Sequence, residues 1–413
     1  MVFLMAVTTS KTIRVCQLWE YYLPVYTGAA VRHNQLAPLW RERDIEVNVL
    51  TVQRPGTSPQ ETINDTPVYR VSMGRSRRRP IRQIIASLNL CRALLARRKH
   101  YDLVHAFAAR EFLVPALLFA KLLGKPVIQE FNILREQDKS AISKLRTSVV
   151  NFLLRFLDVY VGISTPLIQQ LQKDGLSPSK CKLLPYGVFS NRFIPLNAPQ
   201  RAELRRQLDL SQDAIYLVFV GSFEQRKGVD TLVEMMVSLQ RVPQEIHLII
   251  VGPHDYPEGH PGRAFAGQMK VRIRDLGLDG RVHLTGKVEY NAVLGWLQAS
   301  DIFVFPSRRE GLGRVILEAM AVGLPCVVSE LDRITYDFID PDVNGIVVKD
   351  YDPDDFSEQI MRLAADKPLR ERMGVQARLT VLQRFDEHQS ADAHRKLFEM
   401  VLARRFSRNP LVS

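Results

Sequence analysis

The chain of 413 residues is longer than one ordinary domain, and 46% hydrophobic with 24% charged residues and no low-complexity tract exclude a disordered or fibrous protein. Four scattered cysteines, without a C-x-x-C or Cys/His cluster, exclude a disulfide framework and a structural zinc site and suit a reducing compartment. The net charge of +12 asks for an anionic partner or surface, but no nucleic-acid-binding motif accompanies it, so nucleic acid is not expected.

Residues 1–10, "MVFLMAVTTS", have no basic n-region and no cleavage-like site and are expected to be a loose leader. Strands are then predicted at residues 12–19, 45–52, 68–73, 101–107, 126–131 and 158–164, with a short one at 180–187. Helices fall between them, one opening just after Gly28 and another after Glu111. Residues 75–99 hold nine basic residues and no acid, and within them "IRQIIASLNLCRALLARR" repeats apolar residues at helical spacing; residues 139–157 are similar. Two readings stand at this point: a docking face for anionic lipid headgroups, or ordinary solvated helix faces. The longest apolar stretches, such as "FLVPALLFA", are about half of what spans a bilayer. The expected location is therefore cytoplasmic, with peripheral contact at the cytoplasmic membrane face on the first reading.

"NRFIPLNAPQ", residues 191–200, breaks the rhythm with two prolines and reads as a linker. Strands resume at 214–221, 245–252, 281–286, 301–307, 325–330 and 344–350, with helices at 353–365, 369–385 and 387–405. Strand–helix alternation throughout predicts an α/β fold of two doubly wound parallel-sheet domains, residues 11–192 and 201–386. Ligands of such sheets bind outside the carboxyl ends of the strands, so a cleft between the two domains is expected to hold one.

In "VFVGSFEQRKGVDTLVEMM" a buried strand ends at Gly221, a polar loop carries Arg226 and Lys227, and Gly228 opens a helix. Two cations before a helix N-terminus suit a diphosphate, although Arg and Lys are also common in exposed loops. The pattern G-x-x-x-x-G-K-[ST] is absent, so ATPase-type chemistry has no support. In "SRREGLGRVILEAMAVGLPCVVSE" a strand delivers Glu310, Gly311 and Gly313 allow close backbone approach, and Glu318 lies one turn into a helix starting near Val315. A carboxylate there is a good acceptor for a vicinal diol, and Glu310 is placed to hold hydroxyls at the other end of the same ligand. Phosphate between two hydroxyl-rich ends describes a nucleoside-diphosphate sugar. D-x-D matches at residues 340–342 and 352–355 sit in proline-containing turns, so neither a metal nor a cofactor is expected.

On these motifs the C-terminal half closely resembles retaining glycosyltransferases of the GT-B fold, family 4 or "group 1". Their E-x7-E signature is matched by Glu310 and Glu318, and their G-x-x-x-x-x-K-G loop by Gly221 through Lys227 and Gly228. In the first half "YLPVYTGAAVRHNQLAPLWRERDIEVNVLT", "DVYVGISTPLIQQL" and "LLPYGVFSNRFIP" look like further family segments. The resemblance implies two Rossmann-like domains facing across a cleft, with helix 387–405 crossing back onto the first. It implies transfer of a hexosyl group, with retention, to a hydroxyl acceptor, a glycolipid or polysaccharide precursor. The basic segment 75–99 suits a lipid-linked form of that acceptor.

By the resemblance Glu318 holds ribose hydroxyls and Glu310 a donor-sugar hydroxyl. Backbone groups of Gly311, Leu312, Gly313, Arg314 and Val315 meet sugar and diphosphate, beside Gly221 and Ser222. Arg226 and Lys227 neutralise the diphosphate, Gly28 approaches it from the other domain, and Val288 lies near the base. Arg226, Lys227 and Glu310 are the expected catalytic set. Three positions depart from the family: Ser222 where arginine is usual, Asn132 where many members have histidine, and "LDRITYD" in place of a glycine pair, which leaves Asp337 at the acidic position. A sugar-nucleotide epimerase or a phosphorylase would share the lobes, and a non-catalytic polysaccharide- or nucleic-acid-binding protein would explain the basic charge without the glutamates; acceptor-dependent sugar transfer separates these from a transferase.

Overall fold

The computed structural model describes residues 11–25, 28–107, 111–132 and 141–408, so the leader expected at residues 1–10 lies outside the described residues, as do residues 139–140 of the second basic segment. The chain divides into two compact units, Met1–Pro185 with His388–Ser413, and Tyr186–Glu387.

The first unit runs β1 (Ile13–Leu18), α1 (Gly28–Arg41), β2 (Ile45–Val52), β3 (Gln60–Ile63), β4 (Thr66–Val71), α2 (Arg79–Ala96), β5 (Leu103–Phe107), α3 (Val114–Leu122), β6 (Val127–Phe131), α4 (Ala141–Leu154), β7 (Val159–Gly162), α5 (Thr165–Lys173) and β8 (Cys181–Leu183). These strands form one sheet in the order β3-β4-β2-β1-β5-β6-β7-β8. Every residue of β5, β6 and β7 is buried, as strands covered on both faces must be. Strand–helix alternation fails at β3 and β4, which form an antiparallel hairpin on the sheet edge. Ile63 pairs with Thr66, leaving Asn64 and Asp65 as a two-residue loop with φ of 46° and 58°. Left-handed backbone at both positions matches the twist of the flanking strands, and Asn and Asp tolerate it better than other side chains. The strand predicted at 68–73 accordingly begins two residues earlier, at Thr66.

The second unit runs α6 (Ala198–Gln207), β9 (Ile215–Val220), α7 (Val229–Leu239), β10 (Ile246–Val251), α8 (Gly262–Asp275), β11 (Val282–Gly286), α9 (Tyr290–Ala299), β12 (Ile302–Phe305), α10 (Arg314–Ala321), β13 (Cys326–Ser329), β14 (Ile346–Val348), α11 (Pro353–Ala365) and α12 (Lys367–Arg384). Its sheet is parallel in the order β11-β10-β9-β12-β13-β14. The linker expected at residues 191–200 is shorter than its composition suggests, because α6 starts inside it. Asn197 accepts from the Gln200 amide at 2.9 Å while Gln200 accepts from the Asn197 amide at 3.1 Å, a reciprocal cap. Arg201 and Arg205 of α6 then pair with Asp301 at 2.6 Å each, and Asp301 also accepts from the Tyr216 amide, which fixes the root of β12 beside β9.

The last helix, α13 (Glu387–Arg408), belongs to the first unit from His388 onward. Arg32 of α1 donates to Ser390 at 2.6 Å, and Arg43 pairs with Asp392 at 2.6 Å. His33, His105, Glu130 and His394 are buried here, with Glu130 at 3.5 Å from His33 and 3.1 Å from His105.

Candidate active site

In the second unit strand order reverses between β9 and β12, which are hydrogen-bonded neighbours whose following helices diverge. A crevice opens at such a point, and the loops leaving these two strands line it. The loop after β9 carries Arg226 and Lys227 in a 3-10 turn, Gln225–Lys227; the loop after β12 carries Glu310. Gly228 joins them. It adopts φ 72°, and a Cβ there would lie 2.0 Å from the Pro306 carbonyl oxygen, so only glycine lets the β9 loop close on the end of β12.

The closure brings the cations onto the carboxylate. Glu310 Oε1 accepts from Lys227 Nζ at 2.7 Å, from Ser307 Oγ at 2.8 Å and from Arg226 Nη1 at 3.1 Å. Arg226 also donates to the Arg309 carbonyl at 2.9 Å. A second clamp, which sequence reasoning missed, lies beneath: Arg308 grips Asp230 of α7 through two hydrogen bonds of 2.8 Å and donates to the Gln225 carbonyl. Its backbone amide donates to the Arg226 carbonyl at 2.9 Å. Arg308 therefore holds the turn that presents both cations.

Gly313 caps α10 with φ 73°, so backbone N–H groups at that N-terminus face the loop. Arg314 and Val315 open the helix, Leu312 is buried beneath it, and Glu318 is 4% exposed in the following turn. Glu318 does not wait for a ligand alone, as its sequence context suggested. Its Oε1 accepts from the Tyr290 hydroxyl at 2.7 Å, and Arg314 Nε lies 3.4 Å away. Arg314 also donates to the Tyr290 hydroxyl at 3.1 Å, and the Arg192 guanidinium sits over the Tyr290 ring at 4.9 Å. Burial pushes the Glu318 carboxyl up, while Arg314 and the Tyr290 hydrogen bond pull against it. Tyr290 carries no motif, and Arg192 lies in the family-like segment "LLPYGVFSNRFIP" without a role that its spacing could reveal.

Ser222 is half-buried in the β9 loop, beside Gly221, whose own Cβ would press on Phe219 at 2.8 Å. Val288 is half-buried between β11 and α9. Gly28 stands in the other unit as the first residue of α1, and Asn132 follows β6 there. The segment that replaces the glycine pair keeps a glycine-like backbone: Leu331, Asp332 and Arg333 have φ of 50°, 51° and 69°. Leu331 reaches the start of α10, 3.8 Å from where a Gly313 Cβ would stand. Asp337 ends this segment, and its carbonyl accepts from Arg384 at 2.7 Å. The two D-x-D segments serve local structure, with Asp352 capping α11 and Asp342 paired to Arg362 at 2.7 Å.

The family described as "Glycosyl transferases group 1" matches residues 200–380, and "Glycosyl transferase 4-like domain" matches residues 27–187. A D-inositol 3-phosphate glycosyltransferase of Xylanimonas cellulosilytica is 29% identical over 238 residues, 57% of this chain and 54% of that protein. A GDP-mannose-dependent monoacylated alpha-(1-6)-phosphatidylinositol monomannoside mannosyltransferase of Corynebacterium glutamicum is 28% identical over 234 residues, 54% of this chain and 58% of that protein. The chain thus matches little more than half the length of these relatives. Among solved structures, sucrose-phosphate synthase from Thermosynechococcus elongatus superposes with a TM-score of 0.78 at 22% identity, covering 95% of this chain and 99% of that one. HepE of Anabaena in complex with UDP gives a TM-score of 0.78 at 18% identity, covering 94% and 100%. With both halves of the sequence matched and the fold shared along nearly its whole length, the chain belongs to the group 1 glycosyltransferases of GT-B fold.

Proposed function

We propose that this glycosyltransferase moves a hexosyl group from a nucleoside-diphosphate sugar to a hydroxyl acceptor, with retention of anomeric configuration. The observation that carries the reading is the convergence of Lys227, Arg226 and Glu310 beside the N-terminus of α10, with Glu318 one turn further along. As the bond between the anomeric carbon and the phosphate oxygen breaks, negative charge grows on the departing diphosphate. Preorganised cations at that point stabilise the transition state more than the ground state, the role assigned to Lys227 and Arg226. The acceptor oxygen bonds to the anomeric carbon on the face the phosphate leaves, and its proton passes to a phosphate oxygen. Glu318 takes the ribose hydroxyls and Glu310 a sugar hydroxyl, while the backbone of residues 311–315 and Gly221, Ser222 and Val288 complete the second unit's share of the donor site. No cofactor or metal enters this scheme.

A solved relative holding UDP-glucose and relatives named for inositol phosphate and phosphatidylinositol mannoside support a nucleotide-sugar donor and a polyol or lipid-borne acceptor. The reading places the enzyme in glycolipid or polysaccharide synthesis, on the cytoplasmic side. Thermal unfolding with UDP-, GDP- and ADP-sugars tests the donor, since ligand binding to the native state raises the midpoint by mass action. One nucleotide series is expected to stabilise the protein, and NMR of the product is expected to show the donor's anomeric configuration. No stabilisation by any of them, or an inverted product, overturns the reading.

A further inference from the structure

The outer surface of the first unit carries apolar side chains where a solvated layer would carry polar ones. On α2, Ile81, Ile84 and Leu88 are exposed at spacing i, i+3, i+7, and Leu95 continues the stripe one further heptad along. Val149, Phe152 and Phe156 repeat the same spacing along α4 and just beyond its end. α3 packs against both helices, so the three form one layer, and α3 adds Leu122. Exposure runs from 41% at Ile81 to 83% at Leu122. Phe152 and Phe156 rest edge to face on each other at 5.7 Å, held out from the core beneath them.

The charge within these three helices has one sign, the exposed Glu111 standing in the turn before α3. Arg75, Arg77, Arg78, Arg79, Arg92, Arg98 and Lys99 are exposed, and among the described residues none of them has a carboxylate partner. An ordinary solvated helix mixes both signs. A second copy of the chain would set like charges opposite each other, which disfavours self-association through this face. An apolar stripe bordered by unpaired cations fits an anionic bilayer, whose headgroups take the cations while its acyl boundary takes the stripe. Among the described residues no helix is long and apolar enough to cross a membrane, so the contact is one of lying on the surface.

We propose that the layer α2–α3–α4 docks the protein on an anionic lipid surface, with Ile84, Leu88, Phe152 and Phe156 entering the headgroup boundary and Arg78, Arg79, Arg92 and Arg98 meeting the phosphates. The proposal stands apart from sugar transfer, because docking is read without donor or acceptor.

Flotation of the full chain with phosphatidylglycerol-containing vesicles and with pure phosphatidylcholine vesicles, at low and high salt, tests it. Binding is expected to the anionic vesicles only and to fade as salt shortens the Debye length. The pair Arg78→Gln with Arg79→Gln is expected to lower the partition coefficient roughly thirtyfold, and Phe152→Ser with Phe156→Ser about tenfold or more. Thermal unfolding is expected to leave both variants folded, the sites being exposed; should either unfold, Leu88→Ser and Arg92→Gln singly make the same comparison. Equal binding to both lipids, no binding at low salt, or wild-type partition in the variants overturns the proposal. So does a concentration-dependent dimer that the phenylalanine variants dissolve while the wild type ignores vesicles.

Discussion

Lys227 Nζ lies 2.7 Å from Glu310 Oε1, and Arg226 shares the same oxygen at 3.1 Å. The two cations assigned to the diphosphate thus share one partner, the carboxylate assigned to the sugar. Binding of a diphosphate competes for them. Glu310→Gln removes the competing charge and keeps the shape. It is expected to tighten binding of the free nucleoside diphosphate by roughly threefold to tenfold, up to about 1.4 kcal/mol. Sugar transfer should nonetheless fall, because an amide oxygen accepts a sugar hydroxyl more weakly than a carboxylate does. Calorimetry and turnover of the same variant check both halves, and weaker nucleotide binding would show that Glu310 organises the cations instead of competing for them.

Arg308 offers a separate handle on the same turn. Its paired bonds to Asp230 and its bond to the Gln225 carbonyl position Arg226 and Lys227 without reaching a ligand themselves. Arg308→Ala is expected to lower kcat about tenfold or more while KM for the donor moves less, because misplaced cations lose transition-state contacts first. Arg308→Lys cannot reproduce the two-pronged grip and should rescue only in part. An effect confined to KM would count against a positioning role.

Glu318→Ala is expected to cost stability as well as nucleotide affinity. Tyr290 and Arg314 lose their acceptor, and leaving such a partner buried costs about 1–3 kcal/mol. Glu318→Gln keeps an acceptor for Tyr290 and should unfold closer to wild type. Denaturant midpoints and calorimetry separate the two effects. A Glu318→Ala variant as stable as wild type would mean that the Tyr290–Glu318–Arg314 contacts contribute nothing net.

Asp332 holds φ 51° without being glycine, between two neighbours that do the same. Left-handed backbone costs a side-chain-bearing residue about 1–2 kcal/mol, and the extra freedom glycine gives the unfolded chain offsets about half of that. Asp332→Gly is therefore expected to stabilise the second unit by about 0.5–1 kcal/mol, read as a rise in denaturant midpoint. A drop would show that the Asp332 side chain makes contacts worth more than the strain.

The buried histidines make the first unit acid-labile. Burial lowers His33 to about 4, and burial with Arg32 nearby lowers His394 well below its ordinary value. Both stay neutral in the fold while the unfolded chain takes up protons near pH 6.5, so their contribution is full above that pH and is lost as pH falls toward 4. For His33 alone the loss is on the order of 3 kcal/mol across that window. Thermal midpoints measured from pH 7.5 to pH 4.5, values of about that range sufficing, are expected to fall steeply, and less steeply in His33→Asn. A flat profile would mean that the histidines are charged in the native state.

Hydrophobic patterning made the parallel strands legible because β5, β6, β7 and the central strands of the second sheet are buried on both faces and are mainly apolar, broken only by His105, Gln129, Glu130 and His247. The glycine-spaced loops were legible because Gly228 and Gly313 occupy left-handed backbone that few other residues take. The β3–β4 hairpin escaped because its turn uses Asn64-Asp65 instead of a glycine and its edge strand, "QETI", is polar. The start of α6 escaped because Pro199 has the signature of a breaker in the sequence yet sits comfortably in a first helical turn. Tyr290, Arg192 and Asp230 were out of reach for a different reason. Their partners lie 28 to 98 residues away in the chain, and only tertiary packing brings them to Glu318, Tyr290 and Arg308.

The contact of Gly228 with the Pro306 carbonyl also decides which changes this enzyme can absorb. A backbone pressed on a backbone leaves no room for adjustment by rotamer, so the two loops are riveted at one point. The exposed Gln225 side chain can be exchanged around that rivet while α7 keeps its origin. At residue 228 itself no substitution is neutral: a Cβ 2.0 Å from an oxygen parts the loops, and the site loses its frame before it loses a charge.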